Sequence, residues 1–214
     1  LYATIYAAFF SCVDTEKPPA PFSYQWEAEG MERIYSISEE QYSLGQLVLQ
    51  KIAQQRVFTD RVTPEKDFTK VEQTVFERSN STQAWRLLYR QVLYLYPDKR
   101  IRQAPSGIFY DLVFPINTGT RWKRHESSDK EATYSAIHAP FQFQGRFFPH
   151  SITAVFEADS SLIHLKRDVD IYASEVGLVY SEDTDLNYCQ SSPDCIGRQQ
   201  IDFGYRRRQV LLSN

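Results

Sequence analysis

AWRLLYRQVLYLY, from Ala84 to Tyr96, is the stretch that decides the fold. Trp85, Leu87, Tyr89, Leu93 and Leu95 share one parity, and Arg86, Leu88, Arg90, Val92 and Tyr94 share the other. Alternate residues of a strand point to opposite faces, and aromatic side chains suit a half-buried pleated surface. The near-continuous apolar and aromatic content predicts a central strand.

The same character extends outward in both directions. VEQTVF (Val71 to Phe76) follows a polar region containing Pro64, and Ile108 to Phe114 is closed by Pro115 and the turn Asn117-Thr118-Gly119. GQLVLQKIAQQRVF (Gly45 to Phe58) has Leu47, Leu49 and Val57 on one parity and Val48, Ile52 and Phe58 on the other; its Gln-rich middle leaves a helix open. Thr133 to Phe143 and Arg146 to Phe156 flank Gly145, and in SITAVFEA (Ser151 to Ala158) the inward set is Ile152, Ala154 and Phe156. Asp159-Ser160-Ser161 turns the chain into Leu162 to Lys166. DIYASEVGLVY (Asp170 to Tyr180) reads as one strand-like stretch in which Gly177 marks a bulge or a close approach. Ile201 to Leu212 sets Ile201, Phe203 and Tyr205 against Asp202, Gly204 and Arg206. About ten or more short strands without a helical repeat predict an all-β chain: a single antiparallel β-sandwich, curved half-barrel or barrel over residues 22–214.

Composition agrees with sheets rich in rings: 14 Tyr and 14 Phe against 8 Gly. A net charge of -3 and a pI near 5.9 give no global pull toward nucleic acid, which is excluded as a partner class.

Ahead of the sheet, LYATIYAAFF (Leu1 to Phe10) carries no charge and runs into Ser11-Cys12, followed by VDTEKPPAP (Val13 to Pro21). An apolar run, a small residue and then Cys is the order read by the bacterial machinery that acylates a cysteine and cleaves before it. Ten apolar residues fall short of the about 20 that a helix needs to span a bilayer. The expectation is therefore a signal-peptide remnant at 1–11, a lipidated Cys12 with a Pro-rich tether at 12–21, and a location in the cell envelope. The acyl anchor would hold the domain on a membrane, facing the periplasm or the outside. The tether would span about 25–30 Å at ~3.1 Å per residue. Lipidation of Cys12 leaves Cys189 and Cys195 as a pair in NYCQSSPDCIGR, where the intervening turn formers allow a disulfide.

Several segments resemble a family. Gly30-Met-Glu-Arg-Ile-Tyr35-Ser-Ile-Ser, Phe76-Glu-Arg with Trp85, Leu112-Val-Phe-Pro115 through Arg121-Trp122, and Ile171-Tyr172-Ala173 through Val179-Tyr180 occur in the order found in uncharacterised predicted lipoproteins of the Bacteroidetes. The resemblance implies a secreted, lipid-anchored β-rich domain and supplies no catalytic residue.

Enzyme motifs are missing: the chain has no G-x-S-x-G, no phosphate-binding G-x-x-x-x-G-K, no H-E-x-x-H and no C-x-x-C. His125, His138, His150 and His164 are scattered, and Asp168/Asp170 and Glu182/Asp183/Asp185 lack the glycine and distal Glu of a calcium loop. No metal and no cofactor are expected. Three basic clusters, Lys99-Arg100-Ile-Arg102, Arg121 to His125 and Arg206-Arg207-Arg208, can grip anions or line solvent faces. The expected function is a binding or structural domain with an undefined protein or glycan partner, and Trp85, Trp122, Tyr172 and Tyr180 are the candidate ligand contacts if they are not core. Two alternatives stand beside it: a carrier of a hydrophobic molecule in a half-barrel, and an exported glycan hydrolase using unrecognised carboxylates. The first needs a dry aromatic cavity, and the second needs two carboxyls facing across a cleft.

Overall fold

Strand follows strand because apolar and polar side chains alternate along nearly every segment and turn residues separate them. The computed structural model describes residues 23–213. Cys12 and the Pro-rich tether lie outside the described residues.

Twelve strands form one sheet: β1 (Glu32–Ser43), β2 (Gln46–Pro64), β3 (Thr69–Arg78), β4 (Arg86–Leu95), β5 (Lys99–Ala104), β6 (Gly107–Val113), β7 (Arg121–Trp122), β8 (Ala132–Phe143), β9 (Arg146–Ser160), β10 (His164–Ala173), β11 (Gly177–Tyr188) and β12 (Ile201–Ser213). Their order is β6-β5-β4-β3-β2-β1-β12-β11-β10-β9-β8-β7. Every pairing is antiparallel, and all but one join strands consecutive in the chain. The exception, β1 with β12, brings the first and last strands together. The sheet thus curls into a nearly closed barrel whose gap falls between β6 and β7. Across that seam the Tyr110 N–H donates to the Arg124 carbonyl at 2.9 Å, and the Trp122 indole donates to the Tyr110 carbonyl at 2.9 Å.

Two buried clusters fill the sheet's curvature. One gathers Tyr35, Ile37, Val169, Ile171, Tyr180 and Leu211; the other gathers Tyr24, Leu112, Trp122, Tyr134, Ile152 and Tyr172 near the seam. Ile152, Ala154 and Phe156 are buried, as the alternation predicts. The Gln-rich middle of β2 is strand throughout: Ala53, Gln55 and Val57 pair with Ile37, Tyr35 and Arg33 of β1.

Two readings need correction. The stretch Asp170 to Tyr180 is a hairpin, not one strand: β10 ends at Ala173, Glu175 takes a φ of 62°, and β11 starts at Gly177 with a φ of 90°. β4 lies third from one edge of the sheet, and its first half is open to solvent, with Leu87 53% exposed. A bulge between Val75 and Phe76 of β3 shifts the register there. Cys189 and Cys195 are joined by a disulfide, with Cα atoms 5.7 Å apart, in the loop that links β11 to β12.

Candidate functional site: a charged interior

Charged residues spaced two apart on a strand share a face, and here that face is the inside. Arg100 and Arg102 on β5, Asp111 on β6, Asp170 on β10, Arg33 on β1 and Arg207 on β12 all line a cavity of about 140 Å³ enclosed by the sheet, together with Gln55, Gln73, Gln91 and Tyr172.

The network has two centres. Glu27, whose side chain is wholly buried, accepts hydrogen bonds from Arg33 at 3.0 and 3.1 Å, from Arg100 at 3.2 Å and from Gln73 at 3.1 Å. The Arg33 guanidinium also donates to the Trp26 carbonyl at 2.6 Å and to the Val176 carbonyl at 2.8 Å. Arg102 forks onto Asp111 at 3.0 and 3.1 Å, the two-point geometry that favours arginine over lysine. The second centre is Arg124, which bridges Asp168 and Asp170 and lies 3.9 Å from the centre of the Phe156 ring. Burial pushes the Asp168 carboxyl up to about 6 while Arg124 pulls it back, and burial raises Tyr35 to about 12 and Tyr172 well above its usual value.

Arg100 Nε and Nη1, Arg124 Nε and Asp170 Oδ1 are buried without a hydrogen-bond partner among the described residues. Ordered water normally meets such groups, and a polar cavity of this size has room for it.

The clusters that the sequence shows separately are therefore two halves of one arrangement. Arg100 and Arg102 come from the first basic cluster, Arg124 from the second and Arg207 from the third; Asp168 and Asp170 come from an acidic cluster. Arg207 reaches Glu39 at 3.1 Å, while Arg208 reaches Glu182 at 3.6 Å and Arg206 reaches Glu40 at 3.6 Å. The four aromatic candidates do not meet. Tyr172 lines the cavity and Trp122 is buried at the seam. Tyr180 packs on Phe141 and Phe143 and donates to Glu182, and Trp85 lies under the guanidinium groups of Arg56 and Arg78. The histidines are likewise dispersed: His138 meets the Tyr24 hydroxyl at 2.7 Å, His164 meets Asp159 at 2.9 Å, and His125 meets the Ile108 carbonyl at 3.2 Å. Among the described residues, no group of three or more His, Cys, Asp or Glu is placed to hold a metal ion.

No family model and no curated protein matches this chain. Two solved structures are similar to it: a predicted exported protein with a YmcC-like fold from Bacteroides fragilis, at 10% identity and a TM-score of 0.40, and a predicted lipoprotein from Parabacteroides distasonis, at 11% identity and a TM-score of 0.39. Each likeness covers 89% of this chain and 97% of the other. Both organisms belong to the Bacteroidetes. At this distance neither structure carries a site or an activity over.

Glu27 is the member of this buried network that the sequence hides. It lies outside any strand, between Trp26 and Ala28, where no periodicity marks it. The i, i+2 spacing of Arg100 with Arg102 and of Asp168 with Asp170 is the signal that could have revealed the network.

Proposed function

We propose that this chain is a cell-envelope lipoprotein, anchored through acylated Cys12, whose β-barrel serves a binding or structural role and not a catalytic one. The observation that carries the non-catalytic part is the state of the interior carboxylates. Asp111 is held by Arg102, Asp170 by Arg124, and Glu27 by Arg33 and Arg100. Carboxylates committed to arginines have little freedom to act as the acid and base of a hydrolase. A carrier of hydrophobic molecules needs a dry apolar lining, and this cavity is lined by arginine, glutamine and aspartate.

The address rests on the order of apolar run, Ser11-Cys12 and Pro-rich tether, and the Cys189–Cys195 disulfide suits an oxidising compartment. Each buried acyl CH₂ contributes about 0.8 kcal/mol, so two or three chains would hold the domain firmly on a membrane. Fractionation of cells making the full chain tests the anchor. Cys12→Ser should move the protein from the membrane to the soluble fraction, and mass spectrometry of the unaltered protein should find acyl chains on Cys12. A protein that stays with the membrane after the substitution, or carries a bare thiol at Cys12, overturns the reading.

A further inference from the structure

β2 runs on past the end of β3, while β1 on its other side stays paired with β12 as far as Tyr42. β2 pairs with β1 from Gln46 onward, but its pairing with β3 begins only at Gln54, opposite Arg78 at the end of β3. Residues Gln46 to Ala53 therefore have a ladder on one side and, among the described residues, none on the other. At ~3.3 Å per residue this leaves about 26 Å of strand edge with its outward N–H and C=O groups unpaired.

The protection of this edge is slight: a single bulge at Val48 and a single lysine. Natural edge strands carry prolines, inward charges or lysines that repel a second strand. From Gln46 to Ala53 the one charged residue is Lys51, and its ammonium is occupied by Glu77 at 2.8 Å. Apolar side chains stand exposed on both faces: Leu47 and Ile52, opposite Tyr42 and Ser38, on one, and Leu49, opposite Gln41, on the other, with Val48 in a bulge between the two leucines; each is between 43% and 66% exposed. A surface of unpaired backbone flanked by two apolar faces fits an uncharged extended strand with apolar residues on both sides.

We propose that the occupant is the same edge of a second copy of this chain, so that two barrels join antiparallel through β2 into one continuous sheet. Two arguments favour a second copy. In a register centred on Leu49, Leu49 meets Leu49 and residues 46–48 of one copy face residues 50–52 of the other, so Lys51 meets no second lysine across the two-fold axis. The chain's own leading segment is a poor occupant. Once the residues before Cys12 are removed, what precedes Ser23 includes Pro18, Pro19 and Pro21, which lack the N–H groups that a ladder needs. Self-pairing itself does not depend on the lipid anchor, because the edge belongs to the barrel.

Sedimentation of the full-length Cys12→Ser chain tests the pairing. The protein should be a dimer at micromolar concentration. Leu49→Glu, at an exposed position, should bring two carboxylates face to face and weaken self-association at least about tenfold while leaving the circular dichroism of the sheet unchanged. Ile108→Glu, an exposed apolar position on β6, should leave the dimer intact. In the same background, Leu49→Cys should yield a disulfide-linked dimer on mild oxidation. A chain that stays monomeric, including one that instead takes up an added strand-forming peptide or its own leading segment, overturns the proposal. So does a dimer indifferent to Leu49→Glu. Membrane release by Cys12→Ser is scored separately, so a failed anchor and a failed dimer are distinguishable.

Discussion

The Tyr134 hydroxyl accepts a hydrogen bond from the Val113 N–H at 3.0 Å and donates one to the Val113 carbonyl at 2.9 Å. One side chain on β8 thereby supplies, at the end of β6, what a neighbouring strand would supply elsewhere. The phenol is buried, and burial lifts its pKa to about 12, which keeps the donor protonated at any physiological pH. Tyr134→Phe keeps the ring in contact with Trp122 but leaves both backbone groups of Val113 without this partner. We expect a loss of about 1–3 kcal/mol, read from urea unfolding. An unchanged midpoint would mean that the Trp122 and Tyr110 contacts hold the seam without it.

Gly177 opens β11 with a φ of 90°, beside the guanidinium of Arg33. A Cβ at this position would stand 3.2 Å from Arg33 Nη2 and 3.4 Å from its Cζ. Arg33 has little room to retreat, because Glu27, Trp26 and Val176 all hold it. Gly145 supplies the control: its φ is 79°, and an added methyl there meets nothing within 4 Å. Gly145→Ala should show only the backbone strain, and Gly177→Ala should cost about 1–3 kcal/mol beyond it. Thermal melts of the two variants side by side decide this, and equal melting points would show that Arg33 yields.

How much of this was readable beforehand depends on which face each pattern buried. Strands such as β9 declared themselves, because Ile152, Ala154 and Phe156 are apolar and inward. β5 did not, since its inward residues are Arg100 and Arg102, and an interior of charges inverts the usual rule of apolar inside. The turn between β10 and β11 was hidden for another reason. Ala173, Ser174, Glu175 and Val176 include no proline or asparagine, and the turn relies on Glu175 accepting a positive φ just before Gly177. The seam was invisible too, because Tyr134 and Val113 are far apart in sequence and meet only when the sheet curls. The aromatics gave bulk without direction: Trp122, Tyr172 and Tyr180 are core, and no sequence period distinguishes a core ring from one that grips a ligand.

Glu27 is the counter-charge that two buried arginines share. Replacing it with Gln retains the shape and removes the charge, leaving Arg33 without a carboxylate and Arg100 with only Asp111 at 4.0 Å. Breaking a buried pair from one side costs about 3–5 kcal/mol, far more than an exposed pair contributes. Glu27→Gln should therefore be among the most damaging single changes in the barrel. Adding Arg100→Gln should recover part of the loss, because it removes one of the two orphaned cations. Denaturant unfolding of the single and double variants gives the coupling directly, and strictly additive losses would show that Arg100 does not rely on Glu27.

Asp168 predicts a pH dependence of definite sign. Burial pushes its carboxyl up to about 6 in the folded barrel, from an ordinary value of 3.8, despite the contact with Arg124. The folded chain thus holds this proton more tightly than the unfolded chain does. The contribution of the group to stability is complete below pH 3.8 and is lost as the pH rises through 6. Asp168→Asn mimics the protonated acid and has nothing to lose over that range. The stability of the variant relative to the parent protein should therefore increase between pH 4 and pH 7, and the Asp168 carboxyl resonance should titrate with a midpoint near 6. A midpoint below 4 would mean that the charge of Arg124 outweighs burial. The variant would then lose ground to the parent as the pH rises, the opposite trend in the same unfolding series.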